Sequence, residues 1–160
     1  MLSLRLLVLF IHVVAVIVAL GGSLFSTFAL APVLAEELDP VARLRVARRV
    51  IRRLGAIVLT SLAILVVTGI LNVEFIGAVS ILLLIKLVLV IVVIGLALYQ
   101  YGNIGARIWR LSAAGPSPEI AMLQARFRRI GLTVGSIVLL IIYLSLGLTR
   151  GPEAIVAAIR

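Results

Sequence analysis

The 160-residue chain has no cysteine, one histidine (His12), one lysine (Lys86), one tryptophan (Trp109) and two methionines. Without thiols there can be no disulfide scaffold, no Cys-x-x-Cys redox pair and no thiolate zinc site. Copper handling needs soft or imidazole ligands, and one histidine with Met1 and Met122 does not make a copper pathway. P-loop, His-Glu-x-x-His and Ser-His-Asp patterns are also missing. Charge is scarce: 13% of residues are charged and 64% apolar, with a mean hydropathy of +1.34. Soluble domains carry about a quarter charged residues, and a water-soluble core of this size would leave too little polar surface to cover it. The lipid bilayer is the environment this composition implies.

The placement of the few charges defines the fold. Leu6 to Ala35, Leu54 to Val73 and Ile130 to Thr149 contain no Asp, Glu, Lys or Arg, and Phe75 to Ala106 contains only Lys86. About 20 apolar residues cross roughly 30 Å of hydrocarbon. The pattern predicts one all-α membrane domain over residues 1–160, a four-helix bundle with spans near 6–34, 54–73, 78–101 and 130–149. Loops over 35–53 and 102–129 connect them. The first apolar run is too long for a signal-peptide core of 7–15 residues and is read as a retained helix, although Ala29-Leu30-Ala31 has the look of a cleavage site.

Orientation follows from arginine. The 35–53 loop carries Arg43, Arg45, Arg48, Arg49, Arg52 and Arg53; the 102–129 loop carries Arg107, Arg110, Arg126, Arg128 and Arg129. The opposite side has Arg5, Arg150 and Arg160. The positive-inside rule puts both loops in the cytoplasm, both termini outside, and the chain in a prokaryotic-type inner membrane. The net charge of +9 is thereby assigned to topology and anionic headgroups, with no nucleic-acid partner, because the arginines abut membrane helices and lack interleaved aromatics.

Local signals refine the ends. Asp39-Pro40 and Ser117-Pro118-Glu119 are helix starts, a capping side chain before proline at the first helical position. They predict that the second and fourth helices begin two to three turns before entering lipid. Tyr99, Tyr101 and Trp109 are assigned to the inner aromatic belt. Ala15, Ala19, Ser23 and Ser26, and Gly131-x-x-x-Gly135, are small-residue stripes for close helix contact; Gly21-Gly22 would admit a helix or a flat ligand. Gly151-Pro152 ends the fourth helix, with a short surface helix expected over Glu153 to Arg160.

Ionisable groups within membrane helices are expensive unless paired, hydrated or neutral, so each is a functional candidate. Counting at 1.5 Å per residue puts His12 and Lys86 roughly 9–11 Å below the outer hydrocarbon edge. Thr68 and Tyr143 fall in the same layer, with Asn72 one turn beyond Thr68. The ordinary alternatives are an interhelical hydrogen bond for His12, snorkelling for Lys86 and plain packing for Thr68 and Tyr143. Haem is the cofactor compatible with one imidazole; a bis-histidine site would require a second protomer or another subunit.

Several segments resemble a known family. Ile11-His12 with Gly21-Gly22, Ala47-Arg48-Arg49 through Thr68-Gly69-Ile70-Leu71-Asn72, Leu84-Ile85-Lys86-Leu87 and the Arg-rich start of the fourth helix are similar to the CopD-like membrane proteins and the related HemJ-type protoporphyrinogen oxidases. Both are built on a four-helix unit. The resemblance implies a haem-associated, redox-linked protein, with haem b as cofactor, His12 as axial ligand to the haem iron and Lys86 as catalytic charge or proton partner. Thr68 and Tyr143 complete the expected cofactor-binding set. The chain departs from the pattern at Leu84 and Tyr99-Gln100-Tyr101, where HemJ-type proteins commonly carry further histidines, and at Ala19-Leu20, where they carry tryptophan. Other classes in view are a non-catalytic subunit of a larger electron-transfer complex, with further copies or other membrane subunits as partners, and a copper or small-solute permease.

Overall fold

The computed structural model describes residues 2–76 and 81–150, and these are helical apart from two short connections. α1 runs Leu2–Phe25, passes through a π-helical stretch at Ser26–Leu30 and continues as Ala31–Glu37. α2 is Pro40–Ile76. α3 runs Ile81–Leu98, a second π-helical stretch at Tyr99–Gly105, then Ala106–Leu111. α4 is Pro118–Arg150. Each of the four rods is long and apolar enough to cross a membrane, and there is no strand among the described residues. The chain is an all-α, multi-pass membrane protein.

The predicted loops are largely helix. Only Leu38-Asp39 separates α1 from α2, and only 112–117 separates α3 from α4. Asp39 starts α2 by accepting the backbone N–H groups of Val41 at 2.9 Å and Ala42 at 3.1 Å. Ser117 starts α4 through the Ile120 N–H at 3.3 Å, and Gly115 makes the preceding turn with φ of +100°, a conformation L side chains rarely adopt. The capping motifs therefore act where expected, but the extensions are longer. The 37-residue α2 spans roughly 55 Å, well beyond the hydrocarbon thickness. From Pro40 to the apolar window at Leu54 is about four turns, and from Pro118 to Ile130 more than three. The arginines ride on helices, where aliphatic stems can lie along the rod and the guanidinium groups stay in water.

The rods form two antiparallel pairs. α1 packs along α2, with Gly22 against Leu54 near the Arg-rich end and His12 against Gly69 toward the other. α3 packs along α4, where Gly131 receives the Gln100 side chain and Arg107 bridges to Glu119 at 2.9 Å. The pairs meet in the Arg-rich half: Gly55 lies under the Tyr101 ring, Gly105 against Ile51, and Gly135 against Leu20 and Leu24. The Gly131/Gly135 stripe and the Ala15 face of α1 are thus helix–helix contacts, as small residues in lipid favour. Gly22 is taken by a helix; Gly21 has nothing near it.

Both π-helical stretches have local correlates. Pro32 follows the first; its ring would clash with the carbonyl four residues back in a regular helix, and a widened turn relieves that. The second turns neighbouring Gln100 and Tyr101 onto different partners. Gln100 reaches α4, while Tyr101 sits between Gly55 of α2 and Phe127 of α4, its ring edge-on to Phe127 at 5.2 Å. Tyr101 is a packing residue rather than a member of the aromatic belt. Tyr99 and Trp109 do face outward, each beneath an arginine. The turn between α2 and α3 and the segment 151–160, including the expected terminal helix, lie outside the described residues.

Candidate functional site in the half of the bundle opposite the arginines

His12 is half-buried on α1, one turn beyond the buried Val8 and one before the buried Ala15 on the stripe facing α2. Its Nδ1 lies 2.7 Å from Thr68 Oγ1, and Thr68 is itself buried on α2. Thr68 Oγ1 also lies 2.7 Å from the Ile64 carbonyl of its own helix. A threonine hydroxyl has one proton, and a carbonyl can only accept. The Thr68 proton therefore goes to Ile64, and Oγ1 accepts from His12 Nδ1–H. In its neutral form His12 is held as the Nδ1–H tautomer, with the lone pair on Nε2. Orientation of one ring nitrogen through a hydrogen bond at the other is the arrangement found behind metal-ligating and proton-accepting histidines.

The ring packs against Gly69, next to Thr68: a Cβ there would sit 3.8 Å from His12 Cε1, in ordinary van der Waals contact. Lys86 is half-buried on α3, close enough for its charge to act on the His12 ring. The site thus combines an oriented imidazole from one helix pair with a cation from the other.

Of the four expected site residues, the structure joins His12 and Thr68 directly, while the Lys86 charge bears on the ring only at longer range. Tyr143 is not part of the group: its side chain is 73% exposed on the outer surface of α4, where lipid would surround it. Counting along the helix gave its depth, but its rotation about the helix axis places it away from the other three. Among the described residues no group of three or more His, Cys, Asp or Glu could hold a metal ion.

A second polar cluster escaped the sequence reading. Gln100, only 4% exposed, donates from Nε2 to the Phe127 carbonyl at 3.0 Å. The neighbouring Tyr101 hydroxyl faces Ser23 of α1. With Gly131 and Gly135 they border a cavity of about 70 Å³ enclosed by all four helices. Water takes up about 30 Å³ in the liquid, so this space suits one or two waters and excludes a macrocycle. The signal available in the sequence was an uncharged amide next to two tyrosines inside an apolar span.

Comparison with family models, with curated proteins and with solved structures finds no match to this chain.

Proposed function

We propose that the chain is a haem-associated, redox-linked membrane protein of the CopD-like and HemJ-type kind, with His12 as the axial ligand. One observation carries the reading: Thr68 spends its only proton on Ile64 and so commits His12 to the tautomer whose Nε2 lone pair is free. The donor chemistry fits a haem iron, since one imidazole with a fixed second nitrogen makes a proximal ligand. The 70 Å³ cavity does not fit the macrocycle, so the reading puts the cofactor outside that cavity, beside His12. When bound there, haem supplies one-electron chemistry.

The chain's own residues have separable tasks. His12 Nε2 would hold the iron, Thr68 fixes the ring, and Gly69 packs against it. Lys86 offers its ammonium to a carboxylate of cofactor or substrate, which offsets the penalty of holding that cation within the membrane. A second histidine ligand, if the group needed one, would come from a second copy of the chain or another membrane subunit, since His12 is the only histidine here. The arginine distribution supports a topology with the His12 layer toward the outer face of a prokaryotic-type inner membrane and the Arg-rich ends in the cytoplasm.

The test is an absorption spectrum of the detergent-purified protein after expression with added haem. A Soret band that disappears in His12→Ala and persists in Lys86→Met supports the assignment. A colourless wild-type protein, or a band indifferent to His12→Ala, overturns it.

A further inference from the structure

The Arg-rich end holds an open cleft of about 290 Å³ between α2 and the last turns of α3. On α2, Arg48, Arg52, Gly55 and Leu59 line it at spacings of four, three and four residues, so one helix face runs from two cations into an apolar floor. Tyr101, Ile108 and Trp109 of α3 form the facing wall. Arg48 is already positioned: its guanidinium carbon lies 4.4 Å from the centre of the Trp109 ring. Stacking of this kind holds the group in place while leaving its donors free for an oxyanion.

No carboxylate lines the cleft. This end of the sequence carries eleven arginines against four acids, Glu36, Glu37, Asp39 and Glu119. Two of those acids are engaged elsewhere, Asp39 on the α2 N-terminus and Glu119 on Arg107. The distance along α2 from Arg48 to Leu59 is roughly 17 Å, starting among interfacial aromatics and ending in the apolar window. A basic mouth at headgroup level over an apolar trough is complementary to an amphiphile with an anionic head and a hydrocarbon tail. The volume lies near the lower end for ligand pockets and suits part of one acyl chain.

We propose that this cleft is a binding site for a single anionic phospholipid, with its phosphate between Arg48 and Arg52 and an acyl chain along Gly55 and Leu59. The site is independent of the haem reading, and about 20 Å of helix separates Gly55 from Thr68. Arg48 and Arg52 each contribute about fivefold to the preference for anionic over zwitterionic lipid, equivalent to about 1 kcal/mol per arginine.

Trp109 is the only tryptophan and borders the cleft, so its fluorescence reports occupancy. The protein is reconstituted into vesicles of phosphatidylcholine and phosphatidylglycerol in which one or the other lipid has brominated acyl chains. At equal mole fraction, brominated phosphatidylglycerol should quench Trp109 more strongly. Arg52→Gln, which leaves the Arg48–Trp109 stack in place, should reduce that preference about fivefold, and Arg48→Gln/Arg52→Gln should abolish it. Arg128→Gln/Arg129→Gln removes equal charge from α4, away from the cleft, and should leave the preference intact. Equal quenching by the two lipids in the wild type overturns the proposal. So does an equal loss in both double variants, which would mean diffuse attraction to the whole basic end.

Discussion

His12 Nδ1 and Thr68 Oγ1 are 2.7 Å apart, and the second short contact of Thr68, to Ile64 O, fixes the direction of the bond between them. Two residues 56 positions apart in sequence, on the adjacent helices α1 and α2, are thereby joined across the helix pair. Because His12 is the only histidine, its ring nitrogens can be observed without assignment. In protein labelled with ¹⁵N-histidine, neutral His12 should show a protonated Nδ1 and a bare Nε2. Thr68→Ser should preserve that pattern, and Thr68→Val should lose it. Thr68→Val should also destabilise the bundle by roughly 0.6–1.7 kcal/mol, the range for interhelical hydrogen bonds in lipid, measured by unfolding in mixed micelles.

A second prediction concerns Gly55. A Cβ there would meet Tyr101 Cδ1 at 2.9 Å, and the ring cannot swing away because Phe127 stands edge-on behind it. Gly55→Ala should therefore destabilise by about 1–3 kcal/mol through overpacking. Gly21→Ala, with nothing within 4 Å, should fall within about 0.5 kcal/mol of wild type. Gly22→Ala meets only the flexible end of Leu54 at 3.1 Å and should lie between the two. Equal effects at Gly55 and Gly21 would contradict the packing of α2 on α3.

The contrast between Thr68 and Tyr143 marks how far the sequence could be read. Charge-free windows set the number of helices, and counting residues set depth, which is why His12 and Thr68 could be assigned to one layer in advance. Depth does not determine azimuth. Tyr143 has the right height but projects outward from α4, because azimuth depends on which face the neighbouring helices cover. In lipid both faces are apolar, so hydrophobic periodicity carries little of that information. The π-helical stretches were hidden for a related reason: a widened turn leaves composition unchanged and shows only in side-chain direction. Tyr143→Phe should accordingly leave both the unfolding curve and any Soret band unchanged, while His12→Ala removes the band.

Gln100 tests whether the second polar cluster is structural. It is buried, donates to Phe127 O and fills the notch left by Gly131, where a Cβ would lie 2.9 Å from its Nε2. Gly131→Ala should displace the amide and destabilise about as much as Gln100→Ala. The double variant should be closer to either single variant than to their sum, because both remove the same contact. A double-mutant cycle in micelles measures this directly; strict additivity would show that the notch and the amide are independent.

Asp39 provides a pH-dependent element at the hinge between α1 and α2. The backbone N–H groups of Ala42 and Val41 hold its carboxyl below the usual value of 3.8. A depressed carboxylate contributes stability that is fully present above its unfolded pKa and is lost as pH falls through the folded value. The first turn of α2 should therefore be protected at neutral pH and begin to fray only when acidified below 3.8. Amide hydrogen exchange at Val41 and Ala42 measures it, after correction for the intrinsic pH dependence of exchange. Asp39→Asn retains an acceptor for the cap and should give protection that no longer changes across that acid range. Asp39→Ala should fray at every pH while leaving the His12–Thr68 signal untouched, since almost thirty residues of α2 separate the cap from that site.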